Sequence, residues 1–466
     1  MGKAGDALRQ TLEDCGISQN QLAIALDAKR TVVNRWFHGQ VDPTAETVVD
    51  IAQALEGINP DASRQFVRLY LGDWMALEKI APVEQPAELP PSEDVDVAAL
   101  SGLFADTTNS YKYLFFLSLL DILRRREFEV LSSISFEEII VEMLANAWYP
   151  HTYFKLSFGT QDQIAKKLDS LKLEISEPIL KFTDTDKRLL RKAISAQNLK
   201  DIISHFSRYV PFRLIAPFLE QEIKAAGVSR GRGNELELAM PGLAGQYFNS
   251  KKPLYCFDSR EKQHCQAIII HPSWAEYLEK NYVIVRAWAA WEWLGYMQKR
   301  NPNTPALVNK LFMPSKRQPL SKQTQYWKLT LNQHPETRCI YSGEILDYSR
   351  FSLDHYLPWS FVAHDQLWNL VPVVPEVNSA KSNNLPSSRY FYQFVYLQHL
   401  GLVTSHDLLA QKKWEKQIEP FISDLNLSTE DLLDRDRLMN AYESAIGPLL
   451  GLAKNQGFSQ DWVYLS

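Results

Sequence analysis

RCIYSGEILDYSRFSLDHYLPWSFVAHDQLWNLVPVVPEVNSAKSNNLP, from Arg338 to Pro386, sets an Asp-His pair (Asp354, His355), Asn369, Asn378 and Lys381 within one short stretch. Its apolar pattern predicts a β-hairpin, with strands at Cys339 to Tyr341 and Arg350 to Tyr356 and a turn region around Gly343 and Asp347. Asp354 and His355 then fall at the end of the second strand. A polar loop follows, and the run from Val373 through Lys381 can carry a helix.

These residue types suit one chemistry. Cleaving a phosphodiester needs a nucleophilic water, neutralisation of charge on the phosphate and help for the departing oxygen. A neutral histidine can take the water's proton near pH 7. A carboxylate and an amide oxygen are hard ligands for Mg²⁺, which keeps several waters and accepts a substrate phosphate in its octahedron. An Asp-His pair alone is better explained by a turn or a strand-end hydrogen bond, so the weight falls on the complete string.

Asp-His-x-x-Pro-x-Ser at 354–360, an Asn fifteen residues after the Asp, and Asn-x-x-Lys nine residues later resemble the HNH (ββα-metal) nuclease family. The spacing is closest to the HNH domain of the RNA-guided CRISPR effectors. The resemblance covers roughly residues 338 to 387. It implies His355 as general base, Asp354 and Asn378 as metal ligands, Asn369 as the residue that orders the loop and positions His355, and Lys381 facing the substrate phosphate or the developing charge. The implied cofactor is Mg²⁺, with Mn²⁺ able to substitute. No second nuclease domain or guide-binding region is recognisable, so RNA guidance does not carry over. Many HNH domains hold a structural zinc on two Cys-x-x-Cys pairs. Here Ser342 stands where the second Cys would follow Cys339 and no later Cys occurs, so no structural zinc is expected. The other possible metal group, Cys256, His264, Cys265 and His271, lacks ligand spacing and reads as ordinary strand and loop residues.

Upstream of this stretch, no Asp or Glu occurs between Trp293 and Pro335, while Lys299, Arg300, Lys310, Lys316, Arg317, Lys322 and Lys328 do. Such a run suits a phosphate-tracking surface, each neutralised phosphate adding about 0.9 to the salt slope of binding. A solvated loop face is the plainer alternative. Lys316, Arg317, Lys322 and Lys328 are the expected DNA contacts.

The first 79 residues read as a compact helical unit. Helices are predicted from Asp6 to Cys15, from Ser18 as cap to near Asp27, from Thr31 to Phe37, and from Pro43-Thr44 onward with Val48, Ile51, Ala52 and Leu55 at helical spacing. Ser-Gln-x-Gln-Leu-Ala at 18–23, Asn34-Arg35-Trp36, Gly39, Pro43 and Ile51-Ala52 resemble the λ-repressor-like (Xre) helix-turn-helix family over residues 5 to 57. In that fold the third helix enters the major groove. The resemblance implies DNA contact by Lys29, Arg30, Thr31, Asn34 and Arg35, with Gln19 at a phosphate. Residues 1 to 79 hold eight Lys/Arg against eleven Asp/Glu, a net of −3. A protein-docking or autoregulatory role therefore stays open beside DNA binding.

From Ile80 to Val97, four prolines alternate with Glu84, Glu88, Glu93, Asp94 and Asp96 and no basic residue occurs, which predicts an extended acidic linker. Tyr111 to Glu127 and Phe136 to Trp148 predict apolar helices, Leu254 to Phe257 and Ala267 to Ile270 short strands. Ser273 to Arg300 predicts one long helix whose Trp288, Trp291 and Trp293 read as core packing.

The fold class is therefore mainly α and multidomain. It divides into helix-turn-helix (1–79), Pro-rich acidic linker (80–104), helical middle domain with a few short strands (105–300), basic connecting segment (301–335), and HNH domain with carboxy-terminal helices (336–466). At 466 residues, 45% hydrophobic and 23% charged, the chain has the composition of a folded multidomain protein. Its formal charge of −5 confines any nucleic-acid surface to a local patch. The start MGKAGDALRQ has no apolar signal region, and Tyr282 to Met297, broken by Arg286 and Glu292, is too short for a span. With four dispersed cysteines, cytoplasmic residence and no membrane partner are expected. The expected partner is DNA, with a homodimer partner or an activating protein left open. The functional reading is a metal-dependent endonuclease acting against foreign DNA. Its rivals are a transcriptional regulator with an inactive HNH fold, an RNA-cleaving toxin and a homing endonuclease.

Overall fold

The computed structural model describes residues 3–26, 28–71, 89–171, 173, 184–229, 234–312 and 319–465, which form two compact units, 1–88 and 89–466. The local signals of the first unit translate directly into helices. These are α1 (Lys3–Asp14), α2 (Gln19–Ala25), α3 (Arg30–Phe37), α4 (Ala45–Ile58) and α5 (Pro60–Leu71). Ser18 opens α2 with a capping box: its Oγ accepts the Gln21 amide at 3.2 Å while Gln21 Oε1 accepts the Ser18 amide at 2.9 Å. Thr44 caps α4 more simply, its Oγ1 accepting the Thr47 amide at 3.3 Å. α5 was not anticipated as a separate helix; it packs on α1 and α4 and places Phe66 in a core with Leu8, Leu22, Val33, Ile51 and Leu55. Gly5 lies where a Cβ would come within 2.8 Å of the Trp36 carbonyl oxygen, so α1 and the end of α3 meet backbone to backbone.

The second unit is also mostly helical. Its larger core gathers the Tyr111–Arg125, Phe136–Trp148 and Tyr282–Arg300 helices beside a small antiparallel sheet. In that sheet β3 (Ala267–Ile270) lies between β1 (Ile134–Ser135) and β2 (Tyr255–Phe257). The expected linker to 104 needs correction beyond residue 88. Leu89, Val95, Leu100, Leu103 and Phe104 are buried in this core, and Tyr277 Oη donates to the Pro90 carbonyl at 2.7 Å. Residues 80–88 of that linker lie outside the described residues. The expected helix over 273–300 is two helices, Pro272–Lys280 and Tyr282–Arg300. Asn281 ends the first by donating from Nδ2 to the Tyr277 carbonyl at 3.0 Å. Trp293 is buried and Trp288 half-buried, but Trp291 is 71% exposed and does not pack in the core.

A second core in the same unit joins the stretch around the Asp-His pair to the Ser321–Gln333, Phe391–Leu408, Gln411–Leu425 and Arg435–Asn455 helices. The middle and carboxy-terminal regions thus keep separate cores within one unit. Trp359 crosses between them, packing in the larger core with its ring 5.9 Å from that of Phe154.

Candidate functional site

The site is built on β4 (Ser352–His355) and β5 (Leu370–Val373), an antiparallel pair in which Asp354 faces Val371 and His355 faces Leu370. The expected hairpin partner, Cys339 to Tyr341, is a turn. The segment before β4 is closed instead by isolated bridges between Arg338 and Ile345 and between Asp347 and Arg350. Asp347 fixes the second by accepting the Ser349 amide at 2.8 Å. β5 is a fully buried Leu-Val-Pro-Val run, and in a two-stranded sheet Pro372 can keep its ring on the unpaired side. The helix that follows, Pro375–Lys381, packs against β4. The long helices hold this small frame from behind. Gln398 donates to the Leu370 carbonyl at 2.8 Å, Tyr442 to the Trp368 carbonyl at 2.9 Å, and Trp368 Nε1 to Asp424 at 2.6 Å.

Asp354 is 3% exposed, and each of its oxygens takes one hydrogen bond: Oδ1 from Lys381 Nζ at 3.0 Å, Oδ2 from Tyr341 Oη at 2.8 Å. Lys381 also donates to the His355 carbonyl at 2.7 Å. It is wholly buried, so in this structure it braces the strand end and does not lie open to an incoming phosphate. Burial pulls its ammonium below the ordinary lysine range, with Asp354 opposing that shift. Burial, with Asp354 adding to it, pushes the Tyr341 hydroxyl far up, so it stays a donor.

His355 faces Asp365, with Nε2 2.8 Å from Oδ1, and the two side chains are 11% and 20% exposed. Neighbouring His364 is held below the usual histidine range, chiefly by burial. Asn369 is wholly buried and locks the loop beyond His355. Its Oδ1 accepts the Leu357 amide at 2.8 Å, its Nδ2 donates to the Leu357 carbonyl at 2.9 Å, and its own carbonyl accepts the Tyr356 amide. Asn378 is half-buried and its side chain bonds to no described residue. It stands three residues before Lys381 on the same helix, so the two share a face.

Asp354, His355, Asn369 and Lys381 therefore come together as one group, with Asn378 one turn before Lys381 on the adjoining helix. Tyr341 and Asp365 join it without a sequence signal: one lies in the expected first strand, the other in a loop whose charge matches many surface loops. The basic approach is less uniform than its sequence. Lys322 and Lys328 are exposed on the Ser321–Gln333 helix, and Gln323, next to Lys322, donates to the Asp365 carbonyl at 3.1 Å. Lys316 and Arg317 lie outside the described residues. Lys310 is buried, its Nζ unpartnered and 5.2 Å from the centre of the Phe361 ring.

In the first unit, Lys29, Arg30, Thr31 and Arg35 are exposed at the start and along one side of α3. Gln19 and Asn34 are half-buried and pair with each other, Asn34 Nδ2 donating to Gln19 Oε1 at 3.0 Å.

Among the described residues, no group of three or more His, Cys, Asp and Glu gathers as a metal cluster. The alternative set has other work: Cys265 Sγ bonds to the Ser259 and Glu261 carbonyls, and His271 Nδ1 accepts the Ser273 amide at the start of a helix. The pair Asp354 and Asn378 does fit a hard cation. Each Asp354 oxygen uses one lone pair and keeps another, and the Asn378 amide oxygen is uncommitted. No described helix is long and apolar enough to cross a membrane.

Comparison with known families agrees with this geometry. Residues 339–387 match the HNH endonuclease family, and residues 8–62 match the helix-turn-helix family. The chain thus carries an HNH endonuclease domain and a helix-turn-helix domain. No curated protein and no solved structure matches it.

Proposed function

We propose that the protein is a Mg²⁺-dependent endonuclease that hydrolyses DNA, with α3 of the first unit as its DNA-reading or regulatory element. The observation that carries this reading is the adjacent Asp354 and His355 at the end of β4, the first held by buried Lys381 and Tyr341, the second facing half-buried Asp365. Such preorganisation is what a site needs when its charges must be in place before the bond breaks.

We assign the imidazole hydrogen of His355 to Nε2, donated to Asp365 Oδ1, an assignment in which Nδ1 is the basic nitrogen that takes the water's proton. Asn369 holds the backbone beyond His355 and so positions the ring without touching substrate. Lys381 and Tyr341 orient the Asp354 carboxylate. Asp354 and Asn378 would hold Mg²⁺, with Mn²⁺ able to replace it, and the ion would neutralise charge at the phosphate. Exposed Lys322 and Lys328, with Lys316 and Arg317 from the same basic segment, would follow the DNA backbone, and Lys29, Arg30, Thr31 and Arg35 would meet DNA at the first unit. A reader joined to a cutter favours a cytoplasmic role against foreign phage or plasmid DNA, an argument by architecture.

The test is a metal titration of cleavage on matched DNA and RNA substrates, with Asn378→Ala beside wild type. The proposal expects DNA cleavage that vanishes with EDTA, and a variant that needs more Mg²⁺ to reach its own maximum. RNA cleavage in preference to DNA, or cleavage indifferent to EDTA, would overturn it.

A further inference from the structure

The junction between the Lys200–Ser207 and Val210–Leu214 helices gathers three cations on one aromatic ring. The guanidinium carbons of Arg208 and Arg213 each lie 5.0 Å from the centre of the Tyr209 ring. Lys262 Nζ, from the loop between β2 and β3, lies 5.6 Å from it. Wholly buried Glu237 holds Arg213 through Oε1. Neither Arg208 nor Lys262 has a hydrogen bond or ion pair with any described residue. The acids of the flanking segments are committed elsewhere. Asp258 accepts the Gln266 amide at 3.0 Å, Glu261 accepts from Gln263 and faces His264, and Glu235 accepts the Ser229 amide. Burial pulls the Lys262 ammonium below the ordinary lysine range; Glu237 opposes that shift, and Arg208 and Arg213 add to it. Like charges converging on one ring, two of them unpaired, mark a place built for an anion.

Tyr209 and Arg213 also line a cavity of about 420 Å³, together with Thr107, Asn109, Tyr111 and Leu236. That volume suits one small molecule. The wall from 102 to 113 is set in advance. Lys112 donates to the Leu103 and Asp106 carbonyls at 3.4 and 2.8 Å, the Thr107 and Tyr113 hydroxyls bond at 2.7 Å, and Tyr111 Oη accepts the Gln163 amide at 2.8 Å. Asn109 is half-buried and its side-chain amide bonds to no described residue, which leaves a donor and an acceptor for the polar edge of a ligand ring. Asp106 and Lys112 offset one another on this wall, so the positive surplus stays at Tyr209.

We infer that the cavity and its cation cluster bind a free nucleotide, the base inside the cavity and the phosphates on Arg208, Arg213 and Lys262. Aromatic walls stack on any base, and the arginine fork matches phosphate oxygens. A nucleic-acid strand fits less well, because this volume holds one nucleotide while a strand needs a groove that runs on. The site shares no residue with the Asp354 and His355 group, so the inference is independent of the nuclease reading.

The experiment is calorimetric titration of the full chain with ATP, GTP, CTP and UTP in EDTA, which keeps metal from the HNH site. Wild type is expected to bind at least one of the four in the micromolar range, to melt at a higher temperature with it, and to bind inorganic triphosphate more weakly. Arg208→Ala and Lys262→Ala should each weaken nucleotide binding about tenfold or more. Circular dichroism and melting of the free variants should be unchanged, because neither side chain has a partner to lose. Ala105→Trp, at an exposed position lining the cavity, should abolish nucleotide binding and leave triphosphate binding as in wild type. His355→Ala should bind nucleotide like wild type. Several results would overturn the inference: no binding of any of the four at about millimolar concentration, triphosphate bound as tightly as nucleotide, or affinity unmoved by both alanine variants. Binding lost in His355→Ala, or binding of single-stranded DNA alone, would overturn it as well.

Discussion

Replacing Lys381 with methionine separates a structural brace from a phosphate-facing lysine. The Lys381 and Asp354 side chains are 0% and 4% exposed, and their charged atoms lie 3.0 Å apart. At an effective dielectric constant of about 20, that separation corresponds to roughly 5–6 kcal/mol of gross attraction, most of it cancelled by desolvation. The net loss is governed by what remains: a buried carboxylate held only by Tyr341, and a His355 carbonyl without its donor. Removing one member of such a pair typically costs about 3–5 kcal/mol. Asp354→Asn/Lys381→Met removes both charges and should cost less than the sum of the single changes, with a coupling of about 2 kcal/mol or more. Hydrogen exchange under a urea series, read in peptides covering β4 and β5, isolates this frame from the amino-terminal unit. A loss below about 1 kcal/mol for Lys381→Met, together with additive single and double variants, would refute the brace. Lys381 would then be a solvated cation available to substrate.

Three further outcomes follow from the same geometry. Asn369→Ala strips the Leu357 amide and carbonyl of their partners and should cost about 2–4 kcal/mol by urea unfolding; in protein still folded, kcat should fall more than substrate affinity. Lys310→Met removes a buried, unpartnered amine and should raise stability by about 1–3 kcal/mol near neutral pH. Burial lowers the Lys310 pKa from 10.5 to about 7, so across that window the unfolded chain holds a proton that the folded chain has lost. Stability from this group therefore rises with pH between those limits, and urea midpoints should lose that slope in Lys310→Met. Gly401→Ala places a Cβ 2.6 Å from the buried Tyr326 hydroxyl and should lower the melting temperature, at a cost of about 1–3 kcal/mol.

Local signals were readable wherever one segment determines its own structure. The Ser18 capping box, the Thr44 cap and the strand end at Asp354 and His355 need only neighbouring residues, and all stand where the sequence predicts. Asn369 was legible only through the HNH resemblance, which implies a loop-ordering role, and its two hydrogen bonds to Leu357 hold the loop beyond His355. Burial was not legible. Lys381 reads as a free cation until a strand 26–27 residues earlier is brought beside it. Lys310 counts toward a basic run although it points into an apolar core. The Tyr282–Arg300 helix is apolar on both sides, so its sequence could not say which side packs, and Trp291 was placed inside when it lies outside. β5 escaped because Pro372 interrupts it, and the hairpin was drawn to the nearer run at 339–341. Tyr341 and Asp365 complete the site through contacts 13 and 10 residues distant that no periodicity announces.

The central claim is that His355, aligned by Asp365, activates the water that cuts DNA. It is tested most directly by incubating supercoiled plasmid with Mg²⁺ and wild-type protein, with His355→Ala, and with wild type plus EDTA. The account predicts nicked or linear product from wild type alone, and intact plasmid with both the variant and the chelator. Equal cleavage by His355→Ala would contradict it.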